Sequence, residues 1–153
     1  MPASRIERAL AARVPEPIVA WHNGQSLESR YGRAAPAGGV TRVAAGAILR
    51  HQFNKARRPD AVTMPRFPVV AVSAGRVYWF AGPVPAGEPV AVLERAECGV
   101  IVSGNWWWRR LDLVAAGEPA RSYTVLFNGL FGSRKRLANL LRALAGQGSM
   151  PPA

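Results

Sequence analysis

The chain has 153 residues, 49% of them apolar, which is long and apolar enough for one folded domain and excludes a wholly disordered protein. Its 20 basic residues against 9 acidic ones give a formal net charge of +11, which favours an anionic partner. Lys55 and Lys135 are the only lysines, and a codon bias toward arginine would produce the same charge without selection for binding.

Cys98 is the only cysteine, so a disulfide within the chain is excluded and a reducing compartment is expected. Residues 1–20 lack the apolar core of a signal peptide. The apolar run 43–49 is far shorter than the ~20 residues that a membrane-spanning helix needs. We therefore expect a cytoplasmic protein, with peripheral attachment to the inner membrane face as the alternative.

The N-terminal residues predict a short helix followed by a strand. Ser4 and Glu7 have the capping-box spacing, and apolar residues follow at helical intervals. Pro15 ends the predicted helix, because proline lacks the N–H that a helix interior requires. Residues 18–21 then predict a strand, and residues 22–25 a turn.

Residues 26–60 form a basic segment rich in glycine and alanine. Between Arg30 and Arg66 the chain has eight basic residues and one acid, Asp60. Apolar residues at helical spacing predict a helix near 41–55. We expect residues 1–60 to form an N-terminal extension that packs on the rest of the domain.

After Pro59 the sequence changes to short β-rich runs separated by turn residues. A turn about every ten residues is typical of an antiparallel meander that folds into a sandwich or barrel. The predicted strands comprise a hairpin over 67–80 and further runs at 89–93, 98–102, 106–114 and 122–127.

The last predicted helix runs from Ser133 to Gly146. One face carries an apolar stripe of leucines at 137, 140, 141 and 144, which requires a partner surface. The other face is cationic and carries no acid. The remaining residues, 147–153, have paired prolines and no apolar period, which predicts a disordered tail.

A search for catalytic and metal-binding patterns finds none. His22 and His51 do not lie at metal-ligand spacing from Cys98 or from an acidic cluster, and the acids are scattered. The glycine-rich phosphate-binding patterns GxGxxG and GxxxxGK[ST] are absent. We therefore predict a protein that is not an enzyme and that uses no metal or cofactor.

The most unusual local sequence is the Trp-Arg stretch at 106–110. On a strand, Trp106 and Trp108 face one side of the sheet and Trp107 the other. An exposed indole beside Arg109 or Arg110 suits base stacking, cation–π contact or a lipid interface. The alternative is that the tryptophans only fill the two sides of a small barrel.

Residues 62–144 resemble the bacterial pleckstrin-homology-like domains. The resemblance rests on the hairpin 69–80, the strand end Leu126-Phe127-Asn128 and the helix segment 136–141. It implies a bent antiparallel barrel closed at one end by the C-terminal helix, here over residues 61–146. Such domains serve as scaffolds for protein contact or bind phosphoinositide head groups through a Lys-rich hairpin, whereas this hairpin turn offers only Arg76.

We therefore predict an α+β, mostly β fold of about seven strands in a bent antiparallel barrel or sandwich, with a C-terminal amphipathic helix and an N-terminal helical extension. The predicted function is a non-catalytic interaction module that docks its basic face on an acidic protein or an anionic membrane surface. Two alternatives stay open: nucleic-acid binding and a homo-oligomer formed along an exposed strand edge. The predicted binding residues are Arg50, Lys55, Arg57, Arg58, Trp107, Arg109, Arg110, Arg134, Lys135 and Arg136.

Overall fold

The computed structural model describes residues 3–27, 29, 55, 57–104, 108–115, 121–128 and 133–148. Within these residues, seven strands form two antiparallel sheets and two α-helices pack on them, so the mostly β, α+β prediction is confirmed. The first sheet contains β1 (Ile18–Asn23), β2 (Pro68–Ser73), β3 (Arg76–Ala81) and β4 (Ala91–Glu94) in that order. The second contains β5 (Cys98–Gly104), β6 (Trp108–Ala115) and β7 (Arg121–Asn128).

The first helix, α1 (Arg5–Arg13), covers the outer face of the first sheet. Its predicted cap is present, because Ser4 Oγ accepts a hydrogen bond of 3.1 Å from the Glu7 N–H. Leu10 is buried and belongs to the same apolar cluster as Phe80 on β3. The first sheet is thereby covered on one side by α1.

The predicted hairpin over 67–80 is confirmed as β2 and β3. At its turn, Ser73 Oγ accepts a 3.0 Å hydrogen bond from the Arg76 N–H. Every residue of β2 is buried, because alternate residues face α1 and the second sheet. This two-sided burial explains why the strand is almost continuously apolar, without the alternation of a half-exposed strand.

The C-terminal helix, α2 (Ser133–Gly148), packs on the core between the two sheets. Leu137, Leu140 and Leu144 are buried there, and Leu141 is half-buried at the edge. The prediction that the leucine stripe packs on the strands is therefore confirmed. At about 1.5–3 kcal/mol for each fully buried side chain, this stripe is what holds the helix on the sheets.

The two sheets are joined on one side and open on the other. Gln25 and Leu126 exchange two backbone hydrogen bonds of 2.8 Å, and Ala61 forms a parallel bridge to Ser122, so the outer edge of β7 is covered. Between β4 and β5, by contrast, the described residues form no ladder, and the chain turns there through a short 3-10 helix, Arg95–Glu97. The sheets therefore do not form a barrel closed by hydrogen bonds.

The ends of β1 and α2 extend further than predicted. β1 continues through His22 and Asn23, where a turn was expected, because these residues pair with Val70 and Val69 of β2. The helix α2 continues past Gly146 to Gly148. The first two residues of the predicted tail are thus helical, and residues 149–153 lie outside the described part of the chain.

The predicted helix near 41–55 lies outside the described residues, apart from Lys55. The predicted strand over 106–114 is confirmed from Trp108 onward, and Trp106 and Trp107 lie outside the described residues. The remaining predicted strands are present. β4 begins two residues later and ends one residue later than expected, and β5 and β7 are each two residues longer than expected.

Candidate functional site

The basic residues of the segment before the strands are only partly described. Arg50 lies outside the described residues, while Lys55 and Arg57 are exposed. The Arg57 guanidinium donates a 2.9 Å hydrogen bond to the Ala61 carbonyl. Arg58 is half-buried, with its Nε 3.7 Å from Asp60 Oδ1. Of these bases, Lys55 and Arg57 present their charge to solvent.

The Trp-Arg stretch divides into an internal and an exposed part. Arg110 forms a two-pronged ion pair with the buried Asp112, with distances of 2.8 Å and 3.2 Å. Thr124 donates a further 2.5 Å hydrogen bond to the same carboxylate. Arg109 is exposed, and Trp107 lies outside the described residues. The charge of Arg110 is therefore balanced inside the protein, and Arg109 is the base of this pair that faces solvent.

Arg134, Lys135 and Arg136 are all exposed on the first turns of α2. Helical spacing places Arg134 on the side of Leu141, seven residues later, and Arg136 on a different side. The Arg136 guanidinium lies 4.5 Å from the centroid of the Trp21 ring on β1. The predicted binding residues on α2 are thus divided between the two flanks of the helix.

A different feature, missed by the sequence analysis, is a set of exposed apolar side chains at the open side of the two sheets. The second sheet ends at β5, whose residues after Cys98 are all exposed. Among the described residues, five of the six large apolar side chains with high exposure lie on or next to β4 and β5. They are Val90, Val92, Val100, Ile101 and Val102.

Val100 and Val102 lie on the core-facing side of the second sheet. Their cross-strand neighbours on β6 are Leu113 and Leu111, both fully buried. Val100 and Val102 nevertheless remain 38% and 41% exposed. The first sheet ends before reaching them, so their core-facing sides border a groove.

This groove, which we call the β5 groove, lies between β5 and α2. Its volume is 520 Å³, within the range of about 300–1,000 Å³ typical of ligand sites. Val100 and Val102 form one wall, and Leu141 and Leu144 with Ala145 form the other. The groove therefore offers two apolar walls beside a strand edge that has no ladder partner among the described residues.

Arg95 closes one end of the β5 groove. Its guanidinium donates to the Ser73 carbonyl at 2.7 Å and to the Ala143 carbonyl of α2. Partial burial lowers the pKa of Arg95. These bonds tie the corner between the sheets to the last turns of α2 and fix the width of the groove at that end.

Cys98 also lines the β5 groove and donates a 3.3 Å hydrogen bond from Sγ to the Glu94 carbonyl. Burial, with the nearby charges of Glu97 and Glu94, raises the pKa of this thiol. A raised pKa keeps the thiol protonated, so Cys98 has the properties of a structural side chain and not of a nucleophile.

The part of the chain described by the structure contains no group of three or more side chains able to hold a metal ion. Neither α1 nor α2, the helices of the described residues, is long and apolar enough to cross a membrane. Compared with models of known protein families, the chain matches none. A search among curated proteins likewise found no match.

Proposed function

We propose that this protein is a non-catalytic interaction module that binds an extended segment of a partner protein by adding it as a strand to β5. The observation that carries the proposal is an edge of β5 that pairs with no strand of the described residues and lies beside a groove with apolar walls. A strand edge of this kind presents a row of backbone N–H and C=O groups to any extended chain.

The bound segment supplies two kinds of contact. Its backbone pairs with the free edge of β5, since alternate N–H and C=O groups of that strand point away from β6. Every second side chain of the segment then enters the β5 groove, between Val102 and Leu141. The backbone bonds give general affinity, and the apolar walls select which side chains fit.

The net positive charge of the protein favours an acidic segment, while Glu94 and Glu97 place two acids near Cys98 at one end of the groove. The sequence of α2 contains four bases and no acid. Arg134 lies on the flank of the helix that carries Leu141, a wall of the groove. The net charge of +11 further attracts acidic partners from a distance. We therefore propose a partner segment of net negative charge with apolar residues at every second position. The apolar side chains face the β5 groove, and acids between them face away from α2, so these acids respond to the net charge of the protein and not to a contact with Arg134.

The proposed architecture is the pleckstrin-homology-like one. Support comes from the order of four strands, then three strands, then a C-terminal helix that packs on the core between the two sheets. That resemblance implies protein-contact scaffolds, which agrees with a strand-adding site. In this architecture the side between β4 and β5, where the described residues form no ladder, is the side at which we propose the partner strand is added.

A synthetic peptide tests the proposal. The probe is a peptide of ~10 residues in which valine alternates with glutamate, labelled with a fluorophore and titrated with the full chain. We expect saturable binding. A second peptide of the same sequence, N-methylated at alternate positions, keeps the side chains and their charge but lacks the N–H donors of one edge. Equal binding of both peptides would contradict strand addition.

Matched protein variants locate the site. The double substitution V100T and V102T keeps the β-branched shape but makes both groove side chains polar, so we expect about tenfold weaker binding. V19T is the control, because Val19 is 61% exposed on β1 and does not line the β5 groove. If V19T weakens binding as much as the double variant, the peptide binds elsewhere.

Binding measurements with other probes distinguish the alternative partners. Binding to anionic vesicles or to a mixed-sequence oligonucleotide, with none to the peptide, would replace the proposal with a membrane or nucleic-acid function. Concentration-dependent dimerisation abolished by V100T and V102T would show that a second copy pairs with β5. We do not expect dimerisation, because two copies of net charge +11 repel one another.

A further inference from the structure

A second cavity lies toward the other end of α2 from Arg95, where β1 ends. Its volume is 350 Å³, and its walls include the end of β1, the start of β6, the end of β7 and Arg136 on the first turn of α2. The lining is mostly polar and aromatic, unlike the apolar walls of the β5 groove. Its polar and aromatic lining side chains include His22, Asn23, Gln25, Trp108, Asn128 and Arg136.

Arg136 gives this cleft its charge. Its guanidinium lies 4.5 Å from the centroid of the Trp21 ring, and this cation–π contact holds it beside the opening. No carboxylate is found among the described residues that line the cleft. An arginine fork without an opposing acid suits a phosphate or carboxylate group, which it binds with two parallel hydrogen bonds.

The other walls suit a polar ring. Asn23, Gln25 and Asn128 bring amide groups, which both donate and accept hydrogen bonds, as hydroxyls and heterocyclic nitrogens require. Trp108 is half-buried and contributes an indole, whose face stacks on planar rings and on sugars. The cleft therefore combines one anion-binding group with a ring-binding wall.

His22 adds a neutral polar group. It is 3% exposed, and its ring stacks on Phe127 with the centroids 4.4 Å apart. Burial, opposed in part by a hydrogen bond with Asn23 and reinforced by the charge of Arg136, lowers the pKa of His22 to about 4. The imidazole is thus uncharged at neutral pH, and Arg136 is the single cation in the described lining.

We propose that this cleft binds a small phosphorylated sugar, free or as part of a mononucleotide, with its phosphate on Arg136 and its ring against Trp108. The volume, near the lower limit of about 300–1,000 Å³ for ligand sites, suits a small molecule. The site is separate from the β5 groove, and the proposal does not depend on strand addition there.

Calorimetric titration of the full chain with four compounds tests the proposal. The compounds are ribose 5-phosphate, adenosine monophosphate, adenosine and inorganic phosphate. We expect both phosphorylated sugars to bind more tightly than adenosine or phosphate alone. Tighter binding of the nucleotide assigns the site to mononucleotides, and equal binding assigns it to sugar phosphates. The proposal is wrong if adenosine binds as tightly as its monophosphate, or if none binds at ~1 mM.

Two arginine variants on the same helix locate the ligand. R136Q is expected to weaken binding of both phosphorylated sugars by about tenfold, because it removes the one cation found in the described lining of the cleft. R142Q is the matched control, since Arg142 is exposed on α2 and does not line the cleft. Equal effects of the two variants would show that the phosphate responds only to net charge.

Nuclear magnetic resonance of the unsubstituted chain gives a second measurement that needs no variant. A bound phosphate beside Arg136 offsets the charge that disfavours protonation of His22, so the pKa of His22 is expected to rise from about 4 on binding. An unchanged titration of His22 in the presence of saturating ligand would place the ligand outside this cleft.

Discussion

Arg95 donates a hydrogen bond to the carbonyl oxygen of Ala143, and this contact ties the open corner between the sheets to α2. The same guanidinium also donates to the Ser73 and Ala74 carbonyls at 2.7 Å and 3.3 Å. One side chain thus connects the β2–β3 turn, the start of β5 and the last helix. The end of the β5 groove depends on this single residue.

Replacing Arg95 should therefore loosen α2. We expect R95M to lower the free energy of unfolding by about 2 kcal/mol, because three carbonyl groups lose a charged donor. Chemical denaturation measures this loss. R142M is the control, because Arg142 is exposed and its hydrogen bond to Asn139 is long at 3.5 Å. We expect R142M to change the free energy of unfolding by less than about 0.5 kcal/mol. Equal stability of R95M and the unsubstituted chain would contradict the role of Arg95.

Neighbouring leucines of α2 should differ in their effect on stability. Leu140 is fully buried in the core, whereas Leu141 is half-buried beside the β5 groove. We expect L140A to cost about 3 kcal/mol, because it leaves a cavity among packed side chains, and L141A to cost about 1 kcal/mol. In peptide titrations, L141A should weaken binding although the fold persists. A larger stability loss for L141A than for L140A would mean that the helix is rotated.

The Arg110–Asp112 pair predicts a structural effect for a residue that the sequence marked as a binding residue. Asp112 is 3% exposed and holds both Arg110 and Thr124. We expect R110M to destabilise the protein by about 2 kcal/mol, because the buried carboxylate loses its cation. In the background of D112N the same substitution should cost much less. This double-mutant cycle is measured by denaturation, and additive effects would contradict the coupling.

The buried His22 makes stability depend on pH. Its pKa is lowered from 6.5 to about 4 in the folded state, so the unfolded chain binds a proton that the folded chain does not. Above the unfolded pKa both states are neutral, so protonation of His22 has no effect on stability. As the pH falls from about 6.5 toward 4, its contribution to the free energy of unfolding becomes increasingly unfavourable, reaching about 2 kcal/mol near pH 5.

Denaturation of the unsubstituted chain and of H22Q at about pH 7.5 and about pH 5 measures this effect. The quantity of interest is the difference in pH dependence, because H22Q also loses the stacking on Phe127 at every pH. We expect the unsubstituted chain to lose about 2 kcal/mol more than H22Q over this interval. Parallel pH profiles for the two proteins would show that His22 is not held neutral by burial.

The sequence predicted those elements whose signals are local. Ser4 and Glu7 define the start of α1 within four residues of chain, and the leucine stripe of α2 identifies its buried face. The β2–β3 hairpin has its turn and both strands within one short segment. In each case the contacts that form the element lie close together in sequence, so residue type and spacing were sufficient.

Long-range contacts account for the differences. His22 belongs to β1 because it pairs with Val70, far along the chain, and a local turn pattern gives no sign of that pairing. The run Val100-Ile101-Val102 is apolar on both sides, which is typical of a buried strand, yet β5 is exposed because the first sheet ends before it. The Arg110–Asp112 ion pair could have been predicted from the sequence, because two residues at i and i+2 on one strand share a face of the sheet.

Hydrogen exchange of the backbone amides, measured with and without the alternating valine–glutamate peptide, is the most direct test of strand addition to β5. We expect the peptide to slow exchange in β5, Cys98–Gly104, where new strand hydrogen bonds form, and in the part of α2 near Leu141 and Leu144. Exchange in α1 should stay unchanged. Protection confined to other elements, with β5 exchanging as fast as before, would contradict strand addition at this edge.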